Sequence, residues 1–172
     1  MVVVVIVGIV ISVASLSMGI LGKDRELKIQ ADRFMALADL VQDEATMQSR
    51  EFGIEVMTGG YRFVEYDTLA GHWADIPGDE TLRLRTLPED VEFELYLEDK
   101  RIVLDDDPAE FDDPDKQPTL TSTPNYSPHL LIYSSGDTTP FELHVLRNQS
   151  DQNIVIRGDA LGSLEIVNPD EE

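Results

Sequence analysis

The stretch MVVVVIVGIVISVASLSMGILGKDRELKIQADRFMALADLVQDEATMQSREF, residues 1–52, decides the fold because no proline interrupts it. Its first 21 residues carry no charge, and about 20 apolar helical residues cross the roughly 30 Å hydrocarbon core of a bilayer. A secretory signal peptide would begin with basic residues, and a soluble core helix is rarely apolar on every face. The pattern therefore predicts a transmembrane anchor helix over residues 1–21.

The same helix is predicted to continue in amphipathic form over residues 22–52, where glycine at position 53 favours its end. Beyond the anchor, apolar residues recur at alternating gaps of four and three, which is the period of one helix face. Together with a glycine in the anchor they form the predicted packing stripe, which consists of Gly8, Leu27, Ala31, Phe34, Ala38, Val41 and Ala45. The pattern leaves open whether this stripe contacts the chain's own domain or neighbouring subunits in an assembly.

The remainder, residues 53–172, has the two-residue period of antiparallel strands. Two short strands are predicted around the Gly59-Gly60 turn, and VEFELYL alternates apolar and polar residues with KRIVL as its partner. HLLIY, FELHV, NIVIRG and SLEIV supply further strands. Because no strand–helix–strand alternation occurs, the sequence predicts an α+β protein, with the long helix followed by a small antiparallel β-sandwich.

Two stretches lack a regular period. Residues 68–81 contain two glycines, a proline and the single tryptophan, and are interpreted as a surface loop. Residues 105–128 are rich in aspartate and proline, a composition that buries little apolar surface. They are predicted to form a flexible, solvated acidic loop.

Composition narrows the classes of partner. A formal net charge of -21 would repel nucleic-acid phosphates, so no nucleic-acid partner is expected. With no cysteine, the chain has neither disulfides nor a thiol nucleophile, and the redox compartment stays open. Lysines and arginines follow the anchor rather than precede it, so the positive-inside rule alone would leave the domain in the cytoplasm.

No catalytic, cofactor or metal site is predicted. The three histidines, His72, His129 and His144, are scattered and lack the spacing of metal ligands. The Ser-Ser-Gly-Asp segment of residues 134–137 lacks the frame of a hydrolase nucleophile and is interpreted as a turn. The acidic run DDDPAEFDDPD lacks the ligand order of a calcium-binding EF-hand, so a solvated loop is the better interpretation.

The order of an apolar helix, an amphipathic extension and a small β domain resembles that of type IV pilin-like proteins. MVVVVIVGIVISVA resembles the interior of their N-terminal signature. ADRFMALADLVQDEATMQSREFGIEV with GYRFVEYD, IYSSGDTTPFEL and IRGDALGSLEI are similar to the GspH and FimT group, the H-type minor pseudopilins. The processing glycine and glutamate of the signature are absent here, and we expect the coding sequence to begin upstream.

This resemblance implies a non-enzymatic minor subunit of the type II secretion pseudopilus, located in its tip complex and contributing to export of folded proteins across the outer membrane. It implies a single-pass anchor in the bacterial inner membrane and a periplasmic β domain. The implied partners are other minor pseudopilins, the major pseudopilin and the inner-membrane secretion platform. Two alternatives stay open: a minor pilin of a type IV pilus, or a membrane-tethered periplasmic β domain that binds a small ligand or calcium.

Overall fold

A computed structural model describes residues 2–76, 78–106, 126–148 and 152–167, with side chains described from residue 25 onward. The first element is a single α-helix, α1, which spans Val2–Gln48 and contains 47 residues. Among the residues described with their side chains, no helix is long and apolar enough to cross a membrane. The side chains of the predicted anchor, residues 1–21, lie outside that set.

Helix α1 ends earlier than predicted. Ser49 adopts a positive φ of 54°, and the Arg50 backbone N–H donates to the Ala45 carbonyl at 3.1 Å. These features satisfy the last helical carbonyls in the way a C-terminal glycine usually does. The prediction of helix up to residue 52 is therefore wrong by four residues, because Phe52 is fully buried as the first residue of a strand.

Within the described ranges, ten strands follow the helix, and most lie where the two-residue period places them. Their bounds are β1 Phe52–Met57, β2 Gly60–Asp67, β3 His72–Asp75, β4 Arg85–Thr86, β5 Val91–Leu97, β6 Lys100–Ile102, β7 Leu130–Ile132, β8 Phe141–Arg147, β9 Asn153–Gly158 and β10 Leu164–Val167. Strand β3 lies within residues 68–81, which were predicted to form a surface loop. That interpretation is wrong for this strand, whose Trp73 packs edge-on against Tyr66 with ring centroids 5.2 Å apart.

The strands form two antiparallel sheets. Sheet 1 has the order β3-β2-β1-β7, with β4 also pairing with β2, and sheet 2 has the order β10-β9-β8-β5-β6. The predicted Gly59-Gly60 turn is shifted by one residue, since Gly60 already pairs with Met57 as the first residue of β2. A side chain on Gly60 would collide with the Arg85 carbonyl, so this glycine lets β4 approach β2.

Helix α1 belongs to the core together with both sheets. The buried apolar cluster draws on one face of α1, on β1, β2 and β7 of sheet 1, and on β5, β8 and β9 of sheet 2. The burial of β8 alternates between buried and half-buried residues, which leaves its other face towards solvent. By contrast, every residue of β1 is buried, because sheet 1 is covered on both faces.

Candidate functional site: the two faces of helix α1

The predicted stripe on α1 faces the domain core. Its described members are at most 6% exposed, and all of them belong to the buried apolar cluster: Leu27, Ala31, Phe34, Ala38, Val41 and Ala45. The remaining member, Gly8, lies in the part of α1 whose burial is not described. Of the two alternatives left open by the sequence, contact with the chain's own domain is therefore the one observed for the described part of the stripe.

Phe34 is the centre of this buried face. Its ring makes edge-on contacts with Tyr61, Phe93 and Phe141, at centroid distances of 5.1, 6.1 and 6.2 Å. These partners come from β2, β5 and β8, so one helical side chain contacts both sheets. Edge-to-face ring pairs add stabilisation beyond the burial of their area.

The opposite face of α1 carries a second apolar row, which we call the outer row: Ile29, Ala36, Leu40 and Met47. The side chains of Ile29, Leu40 and Met47 are 43%, 37% and 76% exposed, and Ala36 is also exposed. The spacing of seven, four and seven residues keeps all four on one helix face, about half a turn away from the stripe. An apolar row of this length on a solvent-facing helix is typical of an interaction surface.

Acidic residues flank the distal half of the outer row. Asp39 and Asp43 lie four residues apart on the helix, where like charges repel one another. Burial, followed by the charge of Asp43, raises the pKa of the Asp39 carboxyl above its ordinary value. The negative charge of Asp39 is therefore disfavoured on this side of the helix.

Two polar attachments fix the rotation of α1 about its own axis. Near the anchor, the buried Arg147 of β8 pairs with Glu26 of the helix and with Asp90 of the loop before β5. Farther along, the Gln42 amide donates to the carbonyls of Gly136 and Leu161, at 3.1 and 3.4 Å. These contacts tie the helix to sheet 2 and to two loops, which keeps the outer row directed away from the core.

Neither the outer row nor these attachments was predicted from the sequence. The outer row could have been recognised in the sequence, because Ile29, Leu40 and Met47 repeat with the helical period on a different face from the stripe. The ion pairs of Arg147 could not, since its partners lie 57 and 121 residues away along the chain.

The histidines and the Ser-Ser-Gly-Asp turn do not come together into a common site. His72 lies in β3, His129 precedes β7, and His144 lies on the outward face of β8 beside Tyr96. The Ser135 hydroxyl donates to Asp137 at 2.8 Å within a turn. Within the described ranges, no group of three or more histidine, aspartate or glutamate residues could hold a metal ion. Most of the predicted acidic loop, residues 107–125, lies outside those ranges.

Comparison with known sequences gives two relatives. The chain is 32% identical over 145 residues to type II secretion system protein H of Pseudomonas aeruginosa, covering 84% of this chain and 77% of that protein. It is 27% identical over 169 residues to type II secretion system protein H of Aeromonas hydrophila, covering 97% and 88%. No protein-family model matches the chain.

Comparison with solved structures agrees at the level of the fold. Two structures of the minor pseudopilin EpsH of Vibrio cholerae align with TM-scores of 0.67 and 0.63, each at 22% identity. They cover 87% and 85% of this chain, and 98% and 99% of theirs. The solution structure of GspH of E. coli aligns with a TM-score of 0.55 at 18% identity, covering 83% of this chain and 86% of that one.

One N-terminal helix packed against antiparallel sheets is a pilin-like fold. Within the pilin-like class the chain belongs to the type II secretion system protein H family, the GspH-type minor pseudopilins. It is accordingly a minor subunit of the type II secretion pseudopilus. The predicted long helix and antiparallel sheets are confirmed.

Proposed function

We propose that the chain is a structural subunit without catalytic activity, located in the tip complex of the pseudopilus and contributing to export of folded proteins across the outer membrane. Its division into an anchor over residues 1–21, an amphipathic helix up to Gln48 and a periplasmic β domain is part of this proposal. So is a single pass through the bacterial inner membrane. The proposed partners are other minor pseudopilins, the major pseudopilin and the inner-membrane secretion platform.

The observation that carries the proposal is the continuity of α1. The helix runs unbroken from Val2 to Gln48, and among its residues described with side chains those from Leu27 to Ala45 contribute to the buried core. The 25-residue helical segment over residues 2–26 would be about 38 Å long at 1.5 Å per residue, which exceeds the thickness of a membrane's hydrocarbon. On this proposal, the helix would transmit movement along the membrane normal from the anchor to the domain.

The outer row, rather than the buried stripe, is the assembly face that we propose within the amphipathic half. The stripe is occupied by contacts with both sheets, whereas Ile29, Leu40 and Met47 lack comparable cover. Burial of an exposed apolar side chain releases roughly 25 cal/mol per Å² removed from water. A neighbouring subunit's helix could supply that burial. In the anchor, Gly8 would permit close approach of another helix, as small residues do in membranes.

Secretion by intact cells tests this function. Deletion of the gene should abolish or strongly reduce export of type II substrates, and the full chain should restore it. A chain without residues 1–22 should fold and still bind other minor pseudopilins, but should neither enter the filament nor restore export. Unchanged export after deletion, together with no binding of the fragment to any minor pseudopilin, would remove the basis for the proposal.

A paired substitution tests the assembly face separately. Leu40→Asp with Met47→Asp should preserve folding and reduce incorporation into the filament, because two charges would interrupt the outer row. Leu69→Asp is the matched control, since Leu69 is 98% exposed in the turn after β2 and lies far from the row in sequence. Equal export by the double variant and by this control would assign assembly to a different surface.

A further inference from the structure

A short segment covers the outer face of sheet 1 before the chain enters β7. We call this segment, residues 126–129, the return limb. Its Tyr126 is buried, with the ring centre 3.9 Å from the guanidinium carbon of Arg62, and its hydroxyl donates to the Asp75 carboxylate. Its Pro128 packs so closely on Gly53 that a side-chain carbon there would lie 2.5 Å away.

The return limb is fastened to the edge of β1 in an unusual way. The His129 N–H donates to the Ile54 carbonyl at 3.0 Å, next to the last β1–β7 pair, Ile54 with Leu130. Beyond that pair, the Val56 N–H donates to a side-chain acceptor, His129 Nδ1, at 3.2 Å. An imidazole nitrogen can accept this bond only while it carries no proton.

The surroundings of His129 favour the neutral ring. Burial is the largest influence and lowers its pKa, while Glu55 and Asp105 act in the opposite direction. The Glu55 carboxylate is paired with Arg62 on the same buried face, and the Asp75 carboxylate accepts a hydrogen bond from Tyr126. The described groups therefore leave His129 neutral at pH 7 and available as an acceptor.

We propose that His129 is a pH-sensitive fastening that holds the return limb on sheet 1 while neutral and releases it when protonated. Protonation places an N–H on Nδ1, so the Val56 N–H loses its acceptor and faces a positive charge instead. The pKa of the fastened ring lies below the ordinary 6.5, and that of a released ring is close to it. Fastening is therefore complete above pH 6.5 and is lost as the pH falls from 6.5 towards the lowered pKa.

Amide hydrogen exchange at Val56 measures the fastening directly. In the full chain in detergent micelles, the exchange rate, corrected for the intrinsic effect of pH, should rise by about tenfold per pH unit between pH 6.5 and the lowered pKa. His129→Asn should remove this dependence, because its side-chain oxygen can accept the same bond without titrating. His144→Asn, on the outward face of sheet 2, should keep the wild-type profile.

Two results would overturn the proposal: a flat corrected profile in the wild type, or an unchanged slope in His129→Asn. If that variant does not fold, the proton titration of His129 in the wild type decides by nuclear magnetic resonance. A pKa clearly below 6.5, with a parallel change in the Val56 amide signal, supports the fastening. A pKa at or above 6.5 contradicts it. None of these readings depends on assembly of the pseudopilus.

Discussion

The two faces of α1 have similar apolar periodicity and different surroundings. The stripe around Phe34 and Ala38 is enclosed by both sheets, whereas the outer row around Leu40 and Met47 remains exposed. Apolar spacing alone therefore identifies a contact surface without identifying its partner. The sheets supply that information, because the polar ties of Arg147 and Gln42 orient the helix relative to them.

The largest expected contrast between the faces comes from a new carboxylate on each. Ala38→Asp would place a carboxylate at a position that is 6% exposed and should lower the free energy of unfolding by roughly 3–5 kcal/mol. Met47→Asp, on a side chain that is 76% exposed, should change it by less than about 1 kcal/mol. Urea denaturation of the two variants measures the difference. Equal losses would show that the faces are not distinct.

A smaller effect is expected from reshaping one side chain on each face. Phe34→Leu keeps an apolar residue but loses three edge-on ring contacts, and should cost about 1–2 kcal/mol. Ile29→Leu should cost less than about 0.5 kcal/mol, because the side chain of Ile29 is 43% exposed. Thermal denaturation would compare them, and a larger loss for Ile29→Leu would reverse the assignment of the faces.

Much of the architecture could be predicted from the sequence, and the reasons are local. The 3.6-residue period predicts the helix, and alternation in VEFELYL predicts β5 with one wet face, as observed. The end of α1 could not be predicted, because serine rather than glycine adopts the left-handed conformation at position 49. Strand β3 was missed because its bonds to β2 come from pairing between segments, while its own residues show no clear alternation.

Removal of one buried hydroxyl group, on Tyr61 of β2 beside Phe34, should stabilise the fold. The Tyr61 hydroxyl is buried and, within the described residues, has no hydrogen-bond partner; burial also raises its pKa to about 12. Tyr61→Phe keeps the ring contact with Phe34 and should raise the free energy of unfolding by about 1 kcal/mol. Chemical denaturation at neutral pH checks the sign. A loss above about 1 kcal/mol would indicate a partner that satisfies this hydroxyl.

The smallest predicted effect lies beside the outer row and depends on pH. Because the pKa of Asp39 is raised in the folded state, its charge opposes folding, and stability is lost as the pH rises through that pKa. Asp39→Asn should therefore stabilise the domain by about 0.3 kcal/mol at pH 7 and leave it nearly unchanged at pH 3. Paired melting curves at the two pH values provide the test, and a gain at pH 3 alone would have the wrong sign.

The candidate site was harder to predict than the fold. The sequence predicted a contact stripe from Leu27 to Ala45, and the choice between core and assembly face depends on two distant sheets. Likewise, the proposed role of His129 depends on its hydrogen bond from the Val56 N–H, 73 residues earlier in the chain. Neither relation has a local signature, because both arise when remote segments are brought together.

The most direct test of the division between the two faces is cysteine cross-linking in secreting cells. The natural chain contains no cysteine, so Leu40→Cys and Val41→Cys each introduce a unique thiol at adjacent positions on opposite faces. With a thiol-to-amine cross-linker, Leu40→Cys should form an adduct with another pseudopilin, whereas Val41→Cys should form none. Adducts from Val41→Cys, or none from Leu40→Cys while secretion continues, would contradict the assignment of the outer row as the assembly face.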